Sequence, residues 1–391
     1  MSVLVSNALP RSLRRERAER VRTPPREWVH WAWLPIAAAL GLSLVGVAAI
    51  ATTEPALAKR QFGYLVVGML AASAIGAMHW KGMRRWAWVA LAINVALLVV
   101  VLVPWVPDSI VRPRNGARRW INVGSLDFQP SELVKLTWVL AMAAWLQAAS
   151  GIRRMSGVLA TMAVTAIPAG LIALQPDLDS ALLFGPTLAV MLLAAGARVK
   201  HLAIVAGVAL VLAPCSYPFL KPHQRDRIDA MVAQVLGDTR HHDGIGFQAN
   251  RAITLAAAGG VAGLGREEAG TLIRFNRLPE EHNDMIFVVI ACRWGLLGGV
   301  AVWLLGAAYA FGAFMVGLRA GSGFGRLAAV GIGAMVFVQL SVNTAMTIGL
   351  LPVSGMTLPF VSYGGSSLVC LWMTTAVLFA VASRRSRGFD L

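Results

Sequence analysis

Ten long apolar stretches constrain the fold of this chain more than any other feature. A helix that crosses a bilayer needs about 20 mostly apolar residues. The sequence contains ten such stretches, at 29–51, 61–79, 85–104, 132–149, 155–174, 180–196, 201–220, 284–306, 325–348 and 366–383. With 57% hydrophobic and only 14% charged residues, the chain does not have the composition of a soluble domain. We predict an all-α, polytopic integral membrane protein with about ten transmembrane helices.

The distribution of basic residues predicts the topology. Lys and Arg cluster in the amino-terminal tail, in alternate short connections and after the last span, for example at Lys81, Arg84, Arg153, Arg154, Arg198, Lys200, Arg319, Arg326, Arg384 and Arg385. This is the positive-inside pattern, which predicts that both termini are cytoplasmic. It explains the net charge of +16 without a nucleic-acid partner. We divide the chain into a basic cytoplasmic tail (1–28), a ten-helix membrane domain (29–383) and a second cytoplasmic tail (384–391).

The predicted outward connection 105–131 carries cations that the positive-inside rule does not explain. Arg112, Arg114, Arg118 and Arg119 lie in it. Guanidinium groups bind phosphate bidentately, so this cluster suits an anionic lipid headgroup such as a diphosphate. The alternative is a salt-bridged loop or a general membrane-lipid anchor.

The helix that follows this connection begins with two ionisable residues. Glu132 and Lys135 are three residues apart and therefore share a helix face inside a predicted span. Charged residues within a span are expensive and mark functional sites by default. We interpret the pair as part of the same anionic-ligand site.

Two carboxylates lie in the outward connection 174–179. Asp177 and Asp179 follow Gln175 and Pro176 at the junction of two predicted spans. They could bind a cation, pair with the arginines of the preceding connection, or cap the helix that begins near Ser180. The sequence leaves these alternatives open.

A large extracytoplasmic loop, about 220–283, separates the seventh and eighth spans. Loops of this length in compact proteins are usually functional. Its His241, His242 and Asp243 have the composition of a metal site, although adjacent residues in a loop rarely all face one ion, so a solvated turn is the simpler interpretation. The glycines of 259–265 are not a dinucleotide fingerprint, because no βαβ unit surrounds them.

Asp284 follows this loop and stands at the mouth of the eighth span. An ionisable group at a membrane boundary is a candidate functional residue, although an aspartate there could also cap a helix beginning near Met285.

After the ninth span, the prolines and glycines of 349–367 interrupt helix geometry. Such backbone is tolerated at membrane depth only where it is buried in protein or lines a cavity, so we expect it to form part of a pocket wall.

These segments, taken together, resemble one family: the shape, elongation, division and sporulation (SEDS) proteins. The resemblance extends from the first span to the last. The motifs that carry it are NGARRWI at 115–121, QPSELVK at 129–135, QPDL at 175–178, Gln224 with Arg227, GFQ at 246–248, LPEEHNDMIF at 278–287 and GLLPVSGMTLPFVSYGGSS at 349–367. The run at 224–228 favours the RodA type, while 282–284 also resembles FtsW-like members.

The resemblance implies a ten-helix peptidoglycan glycosyltransferase in the bacterial cytoplasmic membrane. Such an enzyme polymerises lipid II at the outer face, and its partner is a class B penicillin-binding protein. The essential aspartate of the family falls on Asp284, which would be the general base. The residues implied to bind substrate are Arg118, Arg119, Glu132, Lys135, Asp177, Gln224, Arg227, Gln248 and His282.

The implied chemistry is within reach of these residue types. A departing diphosphate needs charge stabilisation and no proton, so arginine, lysine or a divalent cation can replace the general acid of a glycosidase. One carboxylate then suffices, and an aspartate with a reference pKa of about 3.9 is ionised at neutral pH. We predict no resident cofactor, with a divalent cation left open.

The chain departs from the family pattern at several positions. Cys292 and Arg293 stand where an acidic pair is common, Arg251 and Ala252 replace Gln-Ser, and Asp179 and Ser180 replace Gly-Thr. The chain thus resembles a divergent member. A weakly catalytic scaffold that activates its transpeptidase, and a lipid-linked flippase, are the alternatives. No inverted repeat supports the flippase.

Overall fold

The computed structural model describes residues 27–114, 117–123, 126–219, 225–226, 228–229, 232–233, 247–353 and 355–383. Its helices, in chain order, are α1 (Glu27–Thr53), α2 (Pro55–Ala77), α3 (Trp80–Leu102), α4 (Pro130–Ala148), α5 (Met155–Leu174), α6 (Leu178–Leu182), α7 (Phe184–Ala194), α8 (Val199–Ser216), α9 (Phe247–Ala258), α10 (Gly265–Asn276), α11 (Ile286–Arg319), α12 (Gly323–Thr347) and α13 (Gly365–Ser383). Three strands, β1 (Val111–Arg114), β2 (Ala117–Val123) and β3 (Leu126–Phe128), lie between α3 and α4.

The predicted all-α membrane architecture is confirmed. Each of the ten predicted spans coincides with helix, and α6 and α7 together occupy the sixth. Six of the described helices are long and apolar enough to cross a membrane: α1, α3, α5, α11, α12 and α13. Two shorter apolar helices, Leu178–Ala194 and Val199–Leu212, accompany them. The chain is therefore a multi-pass membrane protein.

The connection between α3 and α4 forms an antiparallel sheet in the order β1-β2-β3, which the sequence analysis treated as a loop. Ile121 of β2 pairs with Val111 on one side and Phe128 on the other. The β1–β2 pairing is irregular at this point: Pro113 is paired with Arg118 and Arg112 with Trp120, so Arg119 is an extra residue between the two pairs. A bulge of this kind redirects the side chains beside it.

Five connections are predicted to face outward, at 52–60, 105–131, 174–179, 220–283 and 349–365. Their described parts meet at one end of the bundle. Hydrogen bonds join them in four places: Arg119 to Gln175, Asp179 to Gly355, His282 to Tyr363 and Thr53 to Arg274. At the opposite end, the Arg319 guanidinium lies 5.1 Å from the Trp31 ring centroid, and Trp80 stacks on Phe324. The alternation of the connections therefore agrees with the predicted order of spans.

Helix α11 is broken at Gly295, which has φ 66° and ψ −158°. This conformation is accessible to glycine and strained for other residues. The glycine-rich turn after α9 packs against the break: Leu264 N donates to Cys292 O at 3.0 Å, and Leu296 N donates to Gly260 O at 2.9 Å. The glycines of 259–263 thus allow close backbone contact. The helix ends at Arg319, 13 residues beyond the predicted span 284–306.

Three arginines bind the carboxyl end of α1. Arg293 Nη1 donates to Ala48 O at 2.6 Å and to Thr52 Oγ1 at 2.9 Å. Arg266 and Arg274, both on α10, donate to Ala51 O and Thr53 O. Cations stabilise the carbonyl end of a helix, where the backbone oxygens lack partners and the helix dipole is negative. These contacts attach α10 and the first part of α11 to α1.

Candidate active site

Asp284 lies in the turn that precedes α11. The first helical residue is Ile286 and the cap position is Met285, where no side chain makes a cap hydrogen bond. Asp284 therefore does not occupy the cap position that the simpler interpretation of the sequence gave it. Its backbone is held from α12, because Asn343 Nδ2 donates to Asp284 O at 2.9 Å and to Met356 O at 2.6 Å. Asn343 is completely buried.

The loop 349–364 holds the residues just before Asp284. The Ser362 hydroxyl donates to Asn283 O at 2.6 Å, and Tyr363 N donates to His282 O at 2.8 Å. Gln61 of α2 anchors this loop in turn, since its Nε2 donates to Ser362 O at 2.9 Å. The second half of the interrupted segment, 356–362, is largely buried in protein, as its prolines and glycines predict, whereas Leu350, Leu351 and Gly355 are exposed.

Arg119 binds the turn between α5 and α6. Its Nε donates to Gln175 O at 2.7 Å, its Nη2 donates to Pro176 O, and its Nη1 lies 4.0 Å from Asp177 Oδ2. The sheet and the turn are therefore fixed to each other. Of the alternatives for Asp177, pairing with an arginine is observed.

Asp177 also caps α6, because Ser180 N donates to its Oδ1 at 3.3 Å. The side chain is buried. Burial raises the pKa of Asp177 above its ordinary value, and the Arg119 charge opposes that effect. The turn thus contains a carboxyl group whose charge is costly and only partly compensated.

Arg118 points towards the connection after α3. Its Nη1 lies 3.3 Å from Pro104 O and 3.4 Å from Asp108 Oδ1, and its Nη2 donates to Val106 O. Arg118 and Arg119 therefore do not act on the same partner here. This agrees with the irregular pairing of β2 with β1 at Arg119.

Glu132 and Lys135 form a buried ion pair on α4, with Lys135 Nζ 2.8 Å from Glu132 Oε1. Their side chains are only 7% and 5% exposed, so the charges are shielded from water on all sides. An unpaired charge in such a place would be strongly destabilising, and each residue here compensates the other.

Two further candidates lie beside the Asp284 segment. Gln248 Nε2 of α9 is 3.4 Å from Pro279 O. The His282 ring centroid lies 5.8 Å from that of Tyr363, and its buried Nδ1 has no hydrogen-bond partner among the described residues. Gln224 and Arg227 lie outside the described residues, as do 241–243.

Asp179 reaches the loop that borders Asp284. Gly355 N donates to Asp179 Oδ2 at 3.0 Å. A Cβ atom added to Gly355 would lie 3.7 Å from Asp284 Oδ2 and 4.0 Å from Asp179 Oδ2, so both carboxylates border the same small space. In the described parts of the chain, no three His, Cys, Asp or Glu residues are grouped as metal ligands.

Three polar residues that support the site were not predicted from the sequence. Gln61, Gln339 and Asn343 are buried amides within apolar helices. Gln339 Nε2 donates to Thr357 O at 3.0 Å, so it binds the same loop as the other two. A single amide in an apolar helix is costly unless it is paired. That cost was the signal that could have identified all three.

The helical bundle and the charged site at the ends of its helices define a polytopic membrane protein with a cluster of charged side chains at one end. Comparison with known proteins identifies the family. A family model described as "Cell cycle protein", for FtsW, RodA and SpoVE, matches residues 25–387. Stage V sporulation protein E of Bacillus subtilis is 33% identical over 340 residues, covering 84% of this chain and 87% of that protein.

Other relatives agree. The probable peptidoglycan glycosyltransferase FtsW of Coxiella burnetii is 30% identical and covers 91% of this chain and 96% of that protein. A solved structure described as a peptidoglycan synthase complex that coordinates polymerization and crosslinking matches with a TM-score of 0.76 and 27% identity, covering 91% of this chain and 98% of that one. The rod shape determining protein RodA of Thermus thermophilus has a TM-score of 0.66 and 26% identity, with the same coverage.

The chain therefore belongs to the FtsW/RodA/SpoVE family, which confirms the resemblance to the SEDS proteins. It is an enzyme of the glycosyltransferase class.

Proposed function

We propose that this protein polymerises lipid II into glycan strands at the outer face of the bacterial cytoplasmic membrane, with Asp284 as the general base. The observation that carries the proposal is the number of bonds that fix the Asp284 segment. Bonds from Asn343, Ser362 and Tyr363 hold three successive residues, 282–284. A catalytic carboxylate needs such support, because reaction rates fall steeply when a reacting group is misplaced.

The proposed reaction transfers one proton, forms one C–O bond at C1 of the donor sugar and breaks another. The Asp284 carboxylate takes the proton from the 4-hydroxyl of the acceptor sugar. The oxygen of that hydroxyl forms a bond to C1 of the donor sugar. The bond between C1 and the diphosphate oxygen breaks, and the undecaprenyl diphosphate leaves with the electron pair. Its developing charge requires cations and no general acid.

We assign stabilisation of the diphosphate to the arginine-bearing sheet. Arg119 already binds two carbonyl oxygens and a carboxylate at the turn before α6, so its guanidinium is fixed in place before substrate binds. Planar guanidinium groups match phosphate oxygens. The further residues proposed to contact substrate are Arg118, Glu132, Lys135, Asp177, Gln224, Arg227, Gln248 and His282.

A divalent cation is the alternative source of positive charge at the diphosphate. The carboxylates of Asp179 and Asp284, which border the same space at Gly355, are the described groups closest to such a role. Oxygen ligands are those that magnesium prefers, usually together with substrate phosphates.

The proposed partner is a class B penicillin-binding protein, which would crosslink the new strand. Similarity to a synthase complex that couples polymerization and crosslinking supports this assignment. We further propose that both termini are cytoplasmic, which follows from the arrangement of basic residues.

The decisive experiment measures polymerisation of labelled lipid II by the purified protein in complex with its transpeptidase partner. In every sample the transpeptidase site of the partner is inactivated. Wild type is compared with Asp284→Asn, which keeps the size of the side chain and removes its charge. Glu267→Ala, which removes an exposed carboxylate of α10, is the matched control.

Glycan strands from wild type and the control, and none from Asp284→Asn, are expected. Equal strand formation by Asp284→Asn would eliminate the general-base role. A folded wild-type complex that makes no strands would favour a scaffold that activates the transpeptidase. Movement of lipid II across proteoliposome membranes without polymerisation would favour a flippase.

A further inference from the structure

Apart from the alternative of holding a cation, the proposed reaction assigns no role to Asp179. It lies in the first turn of α6, and its Oδ2 accepts a hydrogen bond from Gly355 N at 3.0 Å. The two residues are 176 positions apart in the chain. This bond therefore fixes the start of α6 to the loop between α12 and α13.

The loop that Asp179 holds is also connected to Asp284 by hydrogen bonds. Met356 is the next residue after Gly355, and Asn343 binds the backbone oxygens of Met356 and Asp284 together. Gly355 itself stands beside both carboxylates, as the 3.7 Å and 4.0 Å contacts of an added Cβ indicate. A shift of Gly355 would thus be transmitted to Asp284 through Met356 and the side-chain amide of Asn343.

On its other side, Asp179 is connected to the arginine-bearing sheet. Only Leu178 separates it from Asp177, and Arg119 binds the Gln175–Asp177 turn through two backbone oxygens and a carboxylate. A continuous series of contacts therefore extends from Arg119 through the turn, Asp179 and Gly355 to Asp284. Arg119, proposed to stabilise the departing diphosphate, is at one end of this series, and Asp284, the proposed base, is at the other.

We propose that Asp179 is a positioning residue for glycosyl transfer, which sets Asp284 relative to Arg119 by accepting the hydrogen bond from Gly355 N. This inference rests on the proposed function. The bond needs an acceptor oxygen at Asp179, and the negative charge is secondary. Asparagine can supply such an oxygen, whereas alanine cannot.

The test compares Asp179→Ala with Asp179→Asn in the full complex, measuring kcat and KM for lipid II. Asp179→Ala should lower kcat by about 10- to 100-fold with KM changed by less than about 3-fold, because substrate still binds while the base is misplaced. Asp179→Asn should stay within about 3-fold of wild type. Glu267→Ala serves again as the control.

A second measurement is independent of activity. Hydrogen exchange at the Gly355 amide, followed by mass spectrometry, should be faster in Asp179→Ala and near the wild-type rate in Asp179→Asn. Gly355→Pro removes the N–H from the other side while retaining the Asp179 charge, and should lower kcat well below that of Gly355→Ala, which adds a Cβ beside Asp284 but keeps the N–H. Thermal unfolding in detergent identifies any variant that fails to fold.

Three results would overturn the proposal: wild-type kcat in Asp179→Ala, an equal loss in Asp179→Asn and Asp179→Ala, or unchanged exchange at Gly355 in folded Asp179→Ala. The second result would assign the effect to charge. If wild type makes no strands, the proposed function fails, and the exchange experiment still decides whether Asp179 holds the loop.

Discussion

The side-chain amide of Asn343 donates a hydrogen bond to the backbone oxygen of Asp284 at 2.9 Å. The residues are 59 positions apart, and the bond connects the candidate base to the carboxyl-terminal part of α12. Asn343 is fully buried, so the bond is shielded from water. Support from a buried amide is the reason that the Asp284 turn has a defined position without a helix cap.

Asn343→Ala should therefore lower both stability and activity. The variant leaves the oxygens of Asp284 and Met356 without this donor, which costs about 1–3 kcal/mol for each buried group left unpaired. We expect a lower melting temperature and a kcat reduced about 10-fold or more. Asn276→Ala on α10, which loses a bond within its own helix, is the control. An Asn343→Ala enzyme with wild-type kcat would contradict this interpretation.

The Glu132–Lys135 pair gives a prediction about stability. Lys135→Met leaves the Glu132 carboxylate buried and unpaired, and breaking a buried pair in this way costs about 3–5 kcal/mol. The double variant Glu132→Gln with Lys135→Met removes both charges and should be more stable than Lys135→Met alone. Unfolding of both in the same detergent checks this order. Additive losses would mean that the two charges are not coupled.

Gly295→Ala should destabilise the protein severely. The backbone there has φ 66°, and a Cβ would lie 2.4 Å from Val261 O, so a side chain is excluded by both conformation and space. Gly170→Ala in α5 is the matched control, because a Cβ there meets nothing within 4 Å. Alanine is a better helix former than glycine by about 1 kcal/mol, so the control should be neutral or stabilising. Equal melting temperatures would argue against the break at Gly295.

Arg293→Glu should detach the outer part of α11 from α1. The substitution places a carboxylate against the Ala48 carbonyl oxygen and removes a charged hydrogen bond worth about 1.5–3 kcal/mol. Arg293→Lys keeps the charge and should lose less. Lys59→Glu, an exposed charge reversal at the same end of the bundle, is the control. Stability in Arg293→Glu equal to that of the control would show that the observed bonds contribute little.

Asp177 predicts a dependence of stability on pH. Burial raises its pKa in the folded protein above the ordinary value of 3.8. Between these two pKa values the Asp177 carboxyl group is ionised in the unfolded chain and protonated in the folded protein. The free energy of unfolding therefore falls as pH rises. Asp177→Asn lacks this proton, and the melting temperature of wild type relative to the variant should fall from about pH 4 to pH 7. A constant difference, or one of opposite sign, would contradict the assignment.

The contact between Arg119 and Asp177 shows why part of the candidate site was predictable from the sequence and part was not. Arginines in an outward connection are conspicuous in the sequence, and the pairing of Asp177 with one of them, an alternative that the sequence left open, is observed. That Arg119 is the partner and Arg118 is not depends on the irregular pairing of β2 with β1 at Arg119. A short sheet within an apolar chain has no strong sequence signal, because its seven-residue central strand carries mixed polar and apolar residues.

The sequence by itself determined the class of the protein and the order of its helices. Apolar length and the placement of cations are properties of single segments, and the bilayer imposes them on each segment separately. Only the tertiary structure decided the break at Gly295, the link from Asp179 to Gly355 and the support of Asp284 by Asn343. Each of these joins residues far apart in the chain, and their geometry depends on how the segments pack together.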